Sequence, residues 1–268
     1  MEFFIKKGEI MFEKEINEMK IAAKLAQNEI LKIYQQDFQV EIKSDESPVT
    51  EADKRADEII RKHLSEQFPT YAFLTEESSD DGSRLKNDFV FIVDPVDGTK
   101  DFVAKNGQFT TNIALAYKHE VVAGVVSIPA LDIVYFAVKG VGAFKTENGV
   151  TTQIHVNNKT KNLTVLTSNF HCKKEELDLI EKYKDVITNV EKCGSSIKAC
   201  RIAEGSAEIS YRLSDGTKEW DTAAFDIIVK EAGGVVLKPD FTYITYNRED
   251  VYNRGGYIIA NKKENIKL

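Results

Sequence analysis

Between residues 11 and 36 apolar side chains recur at helical spacing, at Ile16, Met19, Ala23, Ala26, Ile30 and Ile33, and predict an amphipathic helix. The polar stretch Lys43-Ser44-Asp45-Glu46-Ser47-Pro48 interrupts the pattern. Thr50-Glu51-Ala52-Asp53 then reads as a helix start, with Thr50 as N-cap and acidic residues in the first turn, and this helix runs to about Phe68. After it the pattern turns extended. Ala72 to Thr75 predicts a short strand ending in Glu76-Glu77, and the unbroken apolar run Phe89-Val90-Phe91-Ile92-Val93 predicts a buried one. The segment between them, Ser78 to Asp88, predicts a polar, mobile loop. Thr110 to Tyr117, Val121 to Ile128 and Ile133 to Val138, separated by turn residues, predict an antiparallel meander, with Gly140, Gly142 and Gly149 punctuating its end.

The second half alternates differently. Leu163 to Ser168 predicts a strand, Lys173 to Tyr183 and Ser195 to Glu204 helices, and Ala207 to Tyr211 a further strand. Trp220 to Ala232 predicts a helix stopped by Gly233-Gly234. The pattern describes an α+β chain in two halves, 1–155 and 156–268.

Composition narrows the partners. The net charge of −7, without a basic block, argues against a nucleic-acid polymer and leaves room for a small phosphorylated substrate, which needs only a few local cations. No apolar run approaches the roughly 20 residues of a membrane span. Cys172, Cys193 and Cys200 are an odd set without metal-ligand spacing and read as free thiols of a reducing compartment. A cytoplasmic location is the expectation, with peripheral membrane association left open.

The candidate chemistry concentrates in Asp94-Pro95-Val96-Asp97-Gly98-Thr99-Lys100-Asp101, which follows the apolar run directly. Pro95 argues against an ordinary continuation of the strand, and Gly98 permits a special backbone angle. Carboxylates this close repel unless a cation holds them, and hard cations such as Mg²⁺ take oxygen ligands. The same octapeptide also reads as an ordinary Asp- and Gly-rich turn. Three further acidic residues sit at element edges: Glu76 at a strand end, Asp53 in one helical first turn, and Asp221 in Trp220-Asp221-Thr222-Ala223-Ala224. Each has a plainer use, as a solvated loop residue, a capping-box partner of Thr50, or a helix-start charge.

In order along the chain, V-T-E-A-D, T-E-E, D-P-V-D-G-T-K-D and W-D-T-A-A resemble the inositol monophosphatase superfamily of metal-dependent, lithium-sensitive phosphatases. The resemblance extends from Lys43 to about Gly234. Lys43 to Thr50, Asp97-Gly98-Thr99-Lys100-Asp101-Phe102, Asn106 to Leu115 and Gly194-Ser195-Ser196-Ile197-Lys198 are similar to the CysQ-type 3'(2'),5'-bisphosphate nucleotidase branch. It implies a layered αβαβα sandwich of the inositol monophosphatase and fructose-1,6-bisphosphatase type, often dimeric.

For the site, the resemblance implies two or three Mg²⁺ ions. Glu76, Asp94 and the Val96 carbonyl would hold one, and Asp94, Asp97 and Asp221 a second. A third would reach Glu76 through water. Asp53 and Thr99 would orient and deprotonate the attacking water, and the N–H groups of Gly98 and Thr99 would grip the phosphate. Lys100, His171, Ser195, Ser196, Lys198 and Arg212, with Asp221, would contact the substrate. Arg212 stands where inositol monophosphatases carry an acidic residue, and an Arg suits a second phosphate better than a sugar hydroxyl. A surface ion pair is the alternative for Arg212, and helix capping for the two serines. Ser168-Asn169-Phe170-His171 departs from the family's S-R-S-H.

The implied activity is Mg²⁺-dependent removal of the 3'-phosphate of adenosine 3',5'-bisphosphate, a clearing step in sulfur assimilation. The alternatives are an inositol monophosphatase or fructose-1,6-bisphosphatase-like sugar phosphatase, and a binding regulator without turnover.

Overall fold

The computed structural model describes residues 5–6, 9–42 and 48–268. Most of the polar stretch from Lys43 onward lies outside the described residues, so its part in the resemblance has no structural counterpart here. The elements, in chain order, are β1 (Ile5–Lys6), β2 (Glu9–Ile10), α1 (Glu13–Tyr34), β3 (Val40–Ile42), β4 (Pro48–Thr50), α2 (Glu51–Gln67), β5 (Ala72–Thr75), β6 (Phe89–Asp97), α3 (Thr99–Val103), β7 (Thr110–Tyr117), β8 (Glu120–Ile128), β9 (Ile133–Val138), β10 (Gly142–Glu147) and β11 (Val150–Ile154). Then come β12 (Leu163–Thr167), α4 (Lys174–Lys182), β13 (Ile187–Lys192), α5 (Ile197–Ala203), β14 (Ile209–Arg212), α6 (Glu219–Glu231), β15 (Val235–Leu237) and β16 (Tyr257–Ala260).

The meander is present and larger than the sequence pattern predicts. A seven-stranded sheet has the order β11-β10-β9-β8-β7-β6-β5, antiparallel except for β5 beside β6. A five-stranded sheet has the order β13-β12-β14-β16-β15, with β12 parallel to both its neighbours. Strand alternation sorts the core into three slabs. On β6 and β7, Phe91, Val93, Ile113 and Leu115 face α1 and α2, while Val90, Ile92, Ala114 and Ala116 face α5 and α6. On β12, Leu166 joins that middle slab and Leu163 and Val165 face α4. The layers therefore run α1/α2, first sheet, α5/α6, second sheet, α4, the αβαβα sandwich. Every strand of the first sheet precedes residue 155 and every strand of the second follows it, yet α6 packs on both.

One expectation is sharpened and one corrected. Pro95 does interrupt the ordinary strand: β6 runs on to Asp97, but through a bulge. Asp94 pairs with Asn112 and Asp97 with Thr110, so three steps on β6 match two on β7. In a regular strand residues three apart point to opposite faces, and the extra residue resets that phase and turns both carboxylates the same way. The segment Ser78 to Asp88 is not a free loop. It contains a 3₁₀ turn, Ser83–Lys86, and Arg84 within it is buried. Its partners are distant in sequence, which is why local polarity predicts mobility.

The seating of α6 depends on Gly124 of β8. A Cβ there would lie 2.5 Å from the Ala224 carbonyl oxygen and 2.5 Å from Ile227 Cγ2. Because the obstacle is helix backbone, Gly124→Ala is expected to push α6 off the sheet and destabilise the fold by about 1–3 kcal/mol. An unchanged midpoint in thermal unfolding would contradict this reading of the α6 contact.

Candidate active site

A cleft of about 660 Å³ opens where β6, α3, α5, β14 and the start of α6 converge. Glu76, Asp94, Val96, Asp97, Gly98, Thr99, Lys100, His171, Ser195, Ser196, Lys198, Arg212 and Asp221 all line it. Asp53 does not, but stands directly behind Thr99. Its Oδ2 accepts from the Thr50 N–H (2.8 Å) and hydroxyl (2.6 Å), while its Oδ1 faces Thr99 Oγ1 at 3.2 Å. The capping role and the site role therefore coexist, one on each carboxylate oxygen.

Among the described residues, Asp94, Asp97 and Asp221 have carboxylate oxygens all within 4.8 Å of one another. The bulge presents the first two, and the α6 N-terminus presents the third. Burial, then the charges of Glu76, Asp97, Asp221 and Asp53, push the Asp94 carboxyl well above its usual range. Burial, then Asp97 and Glu76, push Asp221 up to about 8. Asp94 Oδ1 is buried without a hydrogen-bond partner. A buried, unpartnered, acceptor-only oxygen amid like charges suits a hard divalent cation. The donor set thus fits the metal that the sequence implies, with Glu76 facing the same cleft from outside the tight trio.

Supporting contacts orient this trio. Asp97 Oδ2 accepts from the Ser196 N–H and hydroxyl, both at 2.8 Å, and from Thr110 Oγ1 at 3.2 Å. Ser196 leads into α5 without a side-chain cap bond, and its hydroxyl hydrogen goes to Asp97. Asp221 Oδ2 accepts from the Lys218 N–H at 2.5 Å. Thr99 Oγ1 lies 3.2 Å from Asp53 and 3.3 Å from the Val96 carbonyl. One hydroxyl hydrogen serves only one of them at a time, and a cation held by the Val96 oxygen would leave it to Asp53. Gly98 has φ +89, and a Cβ there would lie 3.1 Å from Ser195 Cβ. Glycine therefore meets both the backbone angle and the close approach at the start of α3.

A second cluster in the cleft is cationic, with Lys100, Lys198 and Arg212 around His171. Arg212 Nη1 donates to the His171 carbonyl at 2.6 Å, linking the two segments, rather than pairing with a surface carboxylate. Lys198 Nζ donates to the Ser195 carbonyl at 2.7 Å. Loss of hydration, then Lys100, Arg212 and Lys198, hold the exposed His171 below its ordinary range. Ser195 adopts φ 46, and its buried Oγ has no hydrogen-bond partner. Asn169 is turned away from this cluster. Its Nδ2 donates to Asp101 Oδ1 (2.6 Å) and Gln108 Oε1 (2.9 Å).

Tyr211, Lys218, Trp220 and Tyr257 also line the cleft, and sequence reasoning did not single them out. Trp220 is the first residue of the W-D motif and Lys218 lies two residues before it, so both were findable from it. Tyr257 lies on β16, opposite Arg212, and only the sheet register brings it there.

The inositol monophosphatase family profile matches residues 13–268, and the chain belongs to that family. The chain is similar to the 3'(2'),5'-bisphosphate nucleotidase CysQ of Buchnera aphidicola subsp. Acyrthosiphon pisum, with 37% identity over 238 residues covering 86% of this chain and 88% of that protein. It is 35% identical to Escherichia coli (strain K12) CysQ over 242 residues, covering 89% and 96% respectively. The crystal structure of CysQ from Bacteroides thetaiotaomicron superposes with a TM-score of 0.82 at 34% identity, over 94% of this chain and 99% of that one.

The raised carboxyls bear on stability. A carboxyl with a raised folded-state pKa binds more protons folded than unfolded, so its contribution is full below the unfolded pKa and lost as pH rises through the folded one. For Asp221 that window runs from 3.8 to about 8. The melting temperature of metal-free protein should therefore fall from about pH 5 to about pH 8, and fall less in Asp94→Asn. Added Mg²⁺ should offset the loss in the wild type only. Equal pH slopes for the two proteins by differential scanning calorimetry would contradict the proposed strain.

Proposed function

We propose that the chain is a Mg²⁺-dependent 3'(2'),5'-bisphosphate nucleotidase that hydrolyses the 3'-phosphate of adenosine 3',5'-bisphosphate to AMP and phosphate. The observation that carries this reading is that one cleft holds both a carboxylate cluster and a cation cluster. Glu76, Asp97 and Asp221 surround Asp94, and Lys100, Lys198 and Arg212 surround His171. A substrate with one phosphate to cut and a second to hold matches those two clusters. The names of the CysQ relatives support the same substrate class.

Asp94, Asp97, Asp221, Glu76 and the Val96 carbonyl would hold two or three Mg²⁺ ions. When bound, these supply charge neutralisation of the phosphoryl group and a lowered pKa for the attacking water. The chain's own residues do the rest. Thr99 orients the water through its hydroxyl and passes a proton to Asp53 Oδ1, whose other oxygen is anchored at Thr50. The N–H groups of Gly98 and Thr99, at the open start of α3, face the phosphate oxygens. Arg212, Lys198 and His171 bind the second phosphate and its nucleoside. The three free cysteines accord with a cytoplasmic location, and among the described residues no helix is long and apolar enough to cross a membrane.

With saturating Mg²⁺, kcat/KM should be higher on adenosine 3',5'-bisphosphate than on inositol 1-phosphate. The reverse order would assign the chain to the sugar-phosphate branch. Arg212→Ala should raise KM for the nucleotide about 10–100-fold, the equivalent of one or two charge-assisted hydrogen bonds. It should leave turnover of the monophosphate ester nearly unchanged. Phosphate-release assays on both substrates separate these outcomes.

A further inference from the structure

The segment that follows Glu76 is tied to the segment carrying Asp221 by a buried polar bridge that hydrolysis does not use. Arg84 is 2% exposed. Its Nη1 donates to Asn247 Oδ1 at 2.7 Å and its Nη2 to the Arg248 carbonyl at 2.9 Å. Asp80 closes the same guanidinium at 2.8 Å from its own side. Asn247 in turn donates its backbone N–H to Glu219 Oε2 at 2.6 Å, while Arg248 N and Nε donate to Glu219 Oε1 at 2.8 and 3.1 Å. Glu219 is fully buried and stands two residues before Asp221 in the first turn of α6. Asn253 grips that turn from the other side, donating from Nδ2 to the Lys218 carbonyl at 2.8 Å. None of Arg84, Asn247 and Glu219 lines the cleft.

Two buried charges need a reason to be there. Replacing such a pair with apolar side chains is often neutral or stabilising, so a network of this kind is weak support for a purely stabilising role. Its placement supplies a different one. It joins the segment that follows Glu76, at the end of β5, to the first turn of α6 that carries Asp221.

We propose that the Arg84–Asn247–Glu219 bridge is a positioning device for the metal carboxylates, holding Glu76 and Asp221 at the spacing a cation needs before the cation arrives. The inference rests on the metal-site reading above. Preorganised ligands bind more tightly because the binding step does not gather them, and outer partners of metal ligands typically change affinity by about 10–100-fold.

Asn247 has φ 55, so Asn247→Gly keeps the backbone angle and the N–H to Glu219 and removes the side-chain bonds to Arg84, leaving only the Arg84 bond to the Arg248 carbonyl. Asn247→Gly and Arg84→Met should each weaken Mg²⁺ binding about 10–100-fold by titration calorimetry, and raise the Mg²⁺ concentration for half-maximal activity in parallel. At saturating Mg²⁺ the nucleotide KM should stay within about twofold of wild type, a split that general loss of structure would not produce. If Arg84→Met does not fold, Asn247→Gly carries the test. A folded Asn247→Gly protein with wild-type Mg²⁺ affinity overturns the bridge. Asp94→Asn measured alongside separates the two failures. Wild-type Mg²⁺ affinity in that variant overturns the metal-site reading and the bridge with it. Loss of binding there, together with unchanged binding in the bridge variants, overturns the bridge alone.

Discussion

Mutual repulsion among Asp94, Asp97, Asp221 and Glu76 is the constraint around which this fold is arranged. Carboxylates in a buried cluster push one another apart, and water does not screen them well. Each is therefore delivered from rigid structure. A β-bulge turns Asp94 and Asp97 to the same side, and a helix seated on the bare backbone of Gly124 brings Asp221 to meet them. The hydrogen bonds that Asp97 receives from Ser196 and Thr110, and Asp221 from Lys218, hold one oxygen of each. The buried oxygen of Asp94 is left without a donor. The site is thus crowded in its charges and held by its scaffold, and without a cation protons on Asp94 and Asp221 relieve the crowding.

Much of the scaffold was legible from local pattern. The helical spacing from Ile16 to Ile33 and the alternation of the meander correspond to α1 and to β7 through β9, because one-sided burial imposes those periods directly. The site carboxylates were legible because motif order placed each at an element edge. What local pattern did not carry was long-range pairing. Pro95 argued against an ordinary strand there, and only the register against β7 shows the interruption to be a bulge. Arg84 looked like one more polar residue in a loop, and its burial depends on Asn247, 163 positions away. Ser196 read as a phosphate donor with helix capping as the alternative, but its buried hydroxyl donates to a carboxylate from the other half of the chain.

The departure at Asn169 shows how a distal subsite can lose a cation without leaving a buried charge exposed to it. Asp101, 5% exposed, would need a guanidinium or an equivalent set of donors. Here amides fill that need. Asn106 and Asn169 each donate to Asp101 Oδ1 at 2.6 Å. Gln108 accepts the second Asn169 hydrogen and receives the Gly194 N–H at 2.7 Å. Gly194 has no room for a side chain, since a Cβ would meet Asp101 at 2.8 Å. The loop before α5 is thereby drawn against α3 and fixes where Ser195 and Lys198 enter the cleft. An Arg at position 169 would have added charge at that point. With Asn there, under the proposed function the second phosphate would be left to Lys100, Lys198 and Arg212, the last of them fixed by its bond to the His171 carbonyl.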